Sequence, residues 1–112
     1  MGKKKSVDIV VAIPMHSVKT GYKPGMENHA IACLALAGNL SNRLTACFRQ
    51  TRVLVAPLMD EPVTVNVSAP DAVFEMVAKV VETYFREMVS NPKFTKEVSE
   101  NAVREVREQQ AS

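Results

Sequence analysis

The segment from Met26 to Thr51 constrains the fold of this chain more than any other stretch. Its apolar and small residues recur at alternating steps of four and three, the spacing that keeps one face of an α-helix turned inward. The residues that follow this spacing are Met26, Ala30, Cys33, Ala37, Leu40, Leu44 and Cys47. Further apolar residues widen the surface beside that face, namely Ile31, Leu34, Leu36 and Phe48. We therefore expect a helical core segment that is covered on more than one side.

A Gly-Asn-Leu-Ser-Asn run at 38–42 interrupts the middle of this segment. Glycine and asparagine tolerate a left-handed backbone, and serine or asparagine is a suitable N-cap for a new helix. The run therefore predicts two helices joined by a tight turn. Arg43 and Arg49 are expected on the outer face of the second helix.

The rest of the chain shows the alternation of strands and the periodicity of two further helices. The predicted elements are strands at 7–13, 52–59 and 63–67, a long loop at 15–25, and helices at 70–90 and 92–110. Val10 and Ala12 make the second face of the first strand partly apolar as well. Ser68 and Asp71 resemble a capping box before the third predicted helix. The order predicts an α+β fold, with a three-stranded, mainly antiparallel sheet backed by helices on one face (β-α-α-β-β-α, plus a C-terminal helix).

The length of 112 residues, with 46% hydrophobic content, fits one compact domain. We assign residues 1–6 to a basic disordered leader and residues 7–91 to a single α+β domain. Residues 92–112 are expected to form a charged C-terminal helix that is partly frayed or lies at an interface. Its apolar residues form only a thin stripe, which consists of Phe94, Val98, Ala102 and Val106. Gly2 fits the minimal acceptor pattern for myristoylation, so a membrane is an expected partner only if Gly2 is acylated.

The formal net charge of +2 conceals an asymmetry between the two halves. Residues 1–52 carry eight basic and two acidic side chains, whereas residues 53–112 carry six basic and ten acidic ones. Such an asymmetry indicates an anionic partner for the basic half. The alternative is that the two halves pair with each other or with a second copy. The basic side chains expected to contact an anionic partner are Lys19, Lys23, Arg43 and Arg49.

The side chains that carry chemistry do not form a recognisable reactive set. Cys33 and Cys47 lie about 21 Å apart along the predicted helical segment, too far for a disulfide, so reduced thiols and a cytoplasmic or other reducing compartment are expected. His29 shares a face with Cys33, but Cys47 lies too far along the axis to complete a ligand shell, so no metal and no cofactor is expected. Because no catalytic triad, carboxylate pair or phosphate-binding loop is visible, a small enzyme is the less favoured hypothesis.

The run from Gly38 to Val55, the strand at 63–67 and the start of the helix after it resemble the corresponding parts of a type I KH domain. In that family a Gly-x-x-Gly loop lets the nucleic-acid backbone approach closely. The matching loop is degenerate here, since its four residues keep one glycine and no charge. The resemblance implies nucleic-acid contacts at four positions of this chain: Gly38, Asn39, Ser41 and Arg43.

A truncated ferredoxin-like fold uses the same elements differently. It leaves the strand at 7–13 as an unpaired edge, which would join two subunits into a dimer. From both folds we expect a non-catalytic binding module, and a homodimer in particular. RNA or single-stranded nucleic acid is the first expected ligand. The alternative function is a protein–protein interaction or assembly adaptor.

Overall fold

The computed structural model of the chain describes residues 7–59 and 64–111. Its elements are β1 (Ile9–Pro14), α1 (Glu27–Cys47), β2 (Val53–Leu58), β3 (Asn66–Ser68), α2 (Phe74–Ser90) and α3 (Pro92–Ala111). These elements confirm the α+β class, with helices on one side of a three-stranded sheet. The predicted leader at 1–6 with Gly2, the turn at 60–62 and Val63 lie outside the described residues.

The sheet has the strand order β2-β1-β3, with β1 in the centre. β1 pairs in parallel with β2 and antiparallel with β3, so the sheet is mixed and the prediction of a mainly antiparallel sheet is wrong for the β1–β2 pair. The reason is the single helix between the two strands, since a crossover helix returns the chain to the start of a parallel strand. Because β1 is paired on both sides, the unpaired edge that the ferredoxin-like alternative requires at 7–13 does not exist.

Helix α1 runs without a break through residues 38–42, so the prediction of two helices is wrong. Glycine and asparagine permit a turn but do not impose one. The side chains around them are buried in the core, and this packing outweighs the weak helix propensity of the run. The buried residues of this part of α1 are Leu36, Ala37, Leu40 and Leu44.

The core lies between the helices and one face of the sheet, which we call the inner face. The inner face carries Ile9, Val11, Ile13, Val53, Val55 and Val67, which the strand registers place on the same side. Helices α1 and α2 contribute the facing side chains Cys33, Leu36, Leu40, Leu44, Val77, Val81, Tyr84 and Met88. Both helices that pack on the sheet therefore cover the same face.

Tyr84 of α2 connects the three helices. Its hydroxyl donates a hydrogen bond of 3.1 Å to the backbone carbonyl of Leu36 in α1. Its ring meets the ring of Phe94 in α3 edge-on, with centroids 6.1 Å apart. Burial raises the pKa of Tyr84 to about 12; Arg43 opposes this rise and Glu87 adds to it.

The start of α2 differs from the predicted capping box. A turn at 71–73 precedes the helix, and its first residue is Phe74 rather than a residue close to Ser68. The amide of Phe74 donates to the backbone carbonyl of Asp71, and no side chain caps the helix. The apolar face predicted for this helix is present, because Val77, Tyr84 and Met88 are buried.

The corner between α2 and α3 is built around Pro92, which cannot continue α2 but is well suited to the first position of a new helix. Asn91 caps α3 by accepting a hydrogen bond from the amide of Phe94 through its side-chain oxygen. Pro92 has no N–H, so it leaves the carbonyl of Met88 without its helical partner four residues on. The hydroxyl of Thr95 donates to this carbonyl at 2.6 Å and replaces the missing bond.

Helix α3 packs along α1 through a face that the apolar pattern did not identify. The fully or nearly buried residues are Thr95, Ser99 and Val103, one position after the expected stripe. The expected stripe residues Phe94, Val98, Ala102 and Val106 are half-buried. Near its end, Arg107 donates to the side-chain oxygen of Asn28 at 2.6 Å, which fixes α3 antiparallel to α1.

Candidate functional site

The face of the sheet opposite the inner face is the clearest surface feature of this fold, and we call it the open face. The two registers place on this side Val10, Ala12, Pro14, Leu54, Ala56, Leu58, Asn66 and Ser68. Pro14 is buried at one end of the face, whereas Val10, Ala12, Ala56 and Leu58 are half-buried. None of these residues belongs to the core, and Leu54 is 50% exposed. Among the described residues, no helix packs on this face, since α1 and α2 pack on the inner face and α3 packs on α1 and α2.

The open face has the composition of a surface that is normally covered. β1 and β2 are apolar at every position on both faces. Parallel strands with continuous apolar runs are typically buried on both sides, whereas a solvated face normally alternates with polar residues. β3 alone follows the solvated pattern, with Asn66 and Ser68 exposed. No described residue of the open face carries a charge.

The basic residues expected to bind nucleic acid lie at two separate ends of α1. Lys19 and Lys23 are exposed in the loop that leads into the helix, and Arg49 is exposed after its end. Because α1 has 21 residues, about 30 Å of helix separates the two groups. The structure therefore does not gather these side chains into one patch.

The side chain of Arg43 contacts Glu87 and Tyr84 of helix α2. Its guanidinium lies 3.6 Å from a carboxylate oxygen of Glu87 and 4.6 Å above the centre of the Tyr84 ring. The side chain nevertheless keeps 43% of its exposure. Arg43 therefore contributes to the contact between α1 and α2, and its charge is partly neutralised.

The three polar or small positions that the KH resemblance indicates lie within helix α1 and form no loop. Gly38 is exposed, and a Cβ placed there would meet no atom within 4 Å. The side-chain oxygen of Asn39 is buried and has no hydrogen-bond partner among the described residues. Ser41 accepts a hydrogen bond from the hydroxyl of Thr45 through its backbone carbonyl, as is common within helices.

Lys96 is a basic residue near the entrance of α1 that sequence reasoning missed. A Cβ added to Gly21 would lie 3.4 Å from the Lys96 side chain, so this lysine of α3 packs against the loop that carries Lys19 and Lys23. The contact joins residues 75 positions apart in the chain. No local pattern could have indicated it.

A buried polar chain lies at the start of α1, beside the carboxyl ends of β1 and β2. The Oγ1 atom of Thr20 lies 3.0 Å from Nδ1 of His29, and Nε2 of the same ring lies 3.4 Å from Sγ of Cys33. The backbone N–H of Tyr22 also donates to the Thr20 hydroxyl, at 3.2 Å. A cavity of about 170 Å³ adjoins His29 and is lined in part by Met26 and Met59.

This chain of groups has the order of a thiol nucleophile, a base and an orienting residue, but it lacks the conditions for nucleophilic catalysis. Cys33 is fully buried, whereas a reactive thiolate needs access to its substrate. Burial also raises the pKa of the Cys33 thiol to about 11. The thiol is therefore protonated at neutral pH.

Other kinds of site are absent from the described part of the chain. No group of three or more His, Cys, Asp or Glu side chains there is arranged to hold a metal ion. None of the helices within residues 7–59 and 64–111 combines the length and the apolar character that a membrane span needs. Both cysteines are free, as predicted from their separation on the helix. Comparison of the chain with known protein families, with curated proteins and with solved structures finds no match in any of the three.

Proposed function

We propose that this protein is a non-catalytic assembly module that associates with a second copy of itself through the open face. The observation that carries the proposal is the apolar character of both faces of β1 and β2, of which the described residues cover only one. Burial of apolar surface is the main favourable contribution to protein association.

The open face suits a second copy because its residues are uncharged. Two identical faces can meet about a two-fold axis without bringing like charges together. Sheets pack face to face at a separation of about 10 Å, a distance that the valine and leucine side chains of Val10, Leu54 and Leu58 can fill. A charged partner would find no complementary group on this face.

The size of the open face sets the expected strength of the association. Two strands about 20 Å long and the three-residue strand β3, about 10 Å long, are spaced about 4.8 Å apart and present an area of about 240 Å². A stable interface typically buries about 800 Å² on each partner. We therefore expect a weak dimer whose population rises with concentration.

The test compares the mass of the protein with that of two leucine variants. Sedimentation velocity between about 10 and about 500 μM should show the average mass of the wild type rising above 12.3 kDa. Leu54→Lys should keep the protein monomeric. Leu34→Lys is the matched control, since Leu34 is equally apolar and 61% exposed but lies on α1. A wild type that stays monomeric, or variants that behave alike, would contradict the proposal.

A second candidate function is the binding of RNA or single-stranded nucleic acid. It is favoured by the three lysines at the entrance of α1, where Lys96 packs on the loop of Lys19 and Lys23. Phosphate contacts dominate such binding and make it depend on salt. If three lysines contact phosphates, the logarithm of the affinity should fall with the logarithm of the salt concentration with a slope of about −2.

The second candidate is tested by the retention of a single-stranded RNA at two salt concentrations. The double substitution Lys19→Glu and Lys23→Glu should abolish retention. Lys79→Glu is the control, because Lys79 is exposed on α2, away from this loop. Retention that does not change with salt, or that the double substitution leaves intact, would refute the nucleic-acid function.

A further inference from the structure

Strand β2 lies at one edge of the sheet, where half of its backbone groups point away from the other strands. The sheet order gives β2 a single neighbour, β1, among the described residues. The amide of Met15 donates to the carbonyl of Leu58 at 2.8 Å, so the even-numbered residues of β2 turn their N–H and C=O groups toward β1. The odd-numbered residues, Val53, Val55 and Pro57, therefore turn these groups toward the outside of the sheet.

The outer edge of β2 is unpaired and carries little protection against further pairing. Within residues 7–59 and 64–111, no turn or loop bond involves the backbone of Val53 or Val55. Natural edge strands are commonly protected by charged side chains, by proline or by being very short. β2 has six apolar residues and only Pro57 as protection, whereas the opposite edge strand, β3, has three residues and two exposed polar side chains. The edge of β2 is therefore the one that suits another strand.

We propose that the edge of β2 pairs antiparallel with the same edge of a second copy, which extends the assembly function proposed above and rests on it. A two-fold axis beside Leu54 brings Val53 of each copy opposite Val55 of the other. Each of these pairs exchanges two N–H···O bonds, and none of the four bonds needs the N–H that Pro57 lacks. Leu54, which is 50% exposed, then lies opposite Leu54 of the partner subunit at the close spacing of a non-hydrogen-bonded pair.

The small area of the open face favours an assembly that uses both surfaces. The open face of one copy presents about 240 Å², whereas a stable interface buries about 800 Å² on each partner. Edge pairing joins two open faces into one six-stranded surface of about 480 Å². Two such sheets packed face to face contain four copies related by two-fold axes, and both edge pairs form together in this arrangement. The weak dimer formed by the open face alone is then a step toward a four-copy assembly.

The experiment applies the sedimentation measurement to the full-length chain and to two variants of the edge. Val53→Pro removes an outward N–H at the first residue of an edge strand, a position that accepts proline, and leaves the open face unchanged. The wild type should reach four copies at high concentration, whereas Val53→Pro should stop at two. Pro57→Val returns an N–H to the same edge, so it should form the four-copy species at a lower protein concentration.

Hydrogen exchange of single amides gives a second readout. The amides of Val53 and Val55 should exchange more slowly as the protein concentration rises. The amide of Val67 is the matched control, because it points away from β1 on the outer edge of β3 and takes no part in the pairing. Far-UV circular dichroism checks the folding of each variant, and Pro57→Val and the exchange rates decide the matter if Val53→Pro does not fold.

The proposal is overturned if the wild type never exceeds two copies, if Val53→Pro still forms four, or if Pro57→Val leaves the association unchanged. Exchange of Val53 and Val55 that does not depend on concentration would overturn it as well. A wild type that stops at two copies leaves the open-face assembly standing, whereas a wild type that stays monomeric contradicts both.

Discussion

Two buried hydroxyls on the same face of α3 should contribute very differently to stability. Thr95 and Ser99 are one helical turn apart, both are fully buried, and each donates a hydrogen bond of 2.6 Å to a backbone carbonyl. The acceptors differ. Thr95 bonds the carbonyl of Met88, which Pro92 has deprived of its helical partner, whereas Ser99 bonds a carbonyl that keeps the amide four residues on.

The magnitudes follow from this difference. Thr95→Val keeps the shape of the side chain but leaves the Met88 carbonyl buried and unpaired, which costs about 1–3 kcal/mol. Ser99→Ala removes a bond to a carbonyl that remains satisfied, so its cost should stay below about 1 kcal/mol. For a chain of this length the entropy of unfolding is about 240 cal/mol/K, so a loss of 2 kcal/mol lowers Tm by about 8 °C.

The assay is thermal and urea unfolding of the wild type, Thr95→Val and Ser99→Ala, followed by circular dichroism. Thr95→Ser, which retains the hydroxyl, should recover most of the loss. Equal losses of stability for Thr95→Val and Ser99→Ala would refute the argument. They would show that the Met88 carbonyl, which Pro92 leaves without an N–H partner, costs nothing when it is unpaired.

Further predictions concern Tyr84 and two glycines, Gly38 and Gly21. Tyr84→Phe should cost about 1 kcal/mol, since the ring contacts remain and the Leu36 carbonyl keeps its helical bond. Burial raises the pKa of Tyr84 in the folded state, so the contribution of this residue to the free energy of unfolding is fully present below pH 10 and falls as the pH rises toward 12. Urea titrations at several pH values should show a smaller loss of stability in Tyr84→Phe. Gly38→Ala should stabilise α1 by about 0.5–1 kcal/mol, because Gly38 lies in the helix and a Cβ there meets no other atom. Gly21→Ala should destabilise the protein, because Gly21 has φ +91°, a left-handed conformation that strains a residue with a Cβ. A chemical denaturation series that gave both substitutions the same sign would be inconsistent with this fold.

Local sequence patterns predict much of this fold, but they leave open how many helices lie between the first two strands. The α+β class, the free cysteines and the approximate positions of β1, β2, α2 and α3 follow from local patterns. The strand predicted at 63–67 is shorter and displaced, since β3 covers only Asn66–Ser68. The run at 38–42 permits either a turn or a helix, and only the burial of Leu36 and Leu40 by distant elements decides between them. With two helices the chain would return antiparallel, whereas one helix makes β1 and β2 parallel. The wrong prediction of two helices therefore also led to the wrong relative direction for β1 and β2.

The features of the candidate sites also fall into those that local sequence patterns indicate and those that depend on tertiary packing. The apolar second face of β1 and β2 is visible in the sequence, because Val10, Ala12 and Leu54 break the alternation of a solvated strand. The contact of His29 with Cys33 follows from their spacing. The pairing of Arg43 with Glu87 and the approach of Lys96 to the loop at 15–25 depend on tertiary packing and have no local signal.

The central position of β1 also affects how the protein is made. β1 needs a neighbour on each side and is synthesised before both of them. Residue 58 must be synthesised before its first neighbour, β2, is complete, and residue 68 before its second neighbour, β3, is complete. For some 50 residues of elongation, at about 5–20 residues per second, the nascent chain exposes an uninterrupted apolar strand with two bare edges. Segments of this kind are prone to aggregate, so the yield of soluble protein should depend on translation speed and on chaperones that shield the first strand.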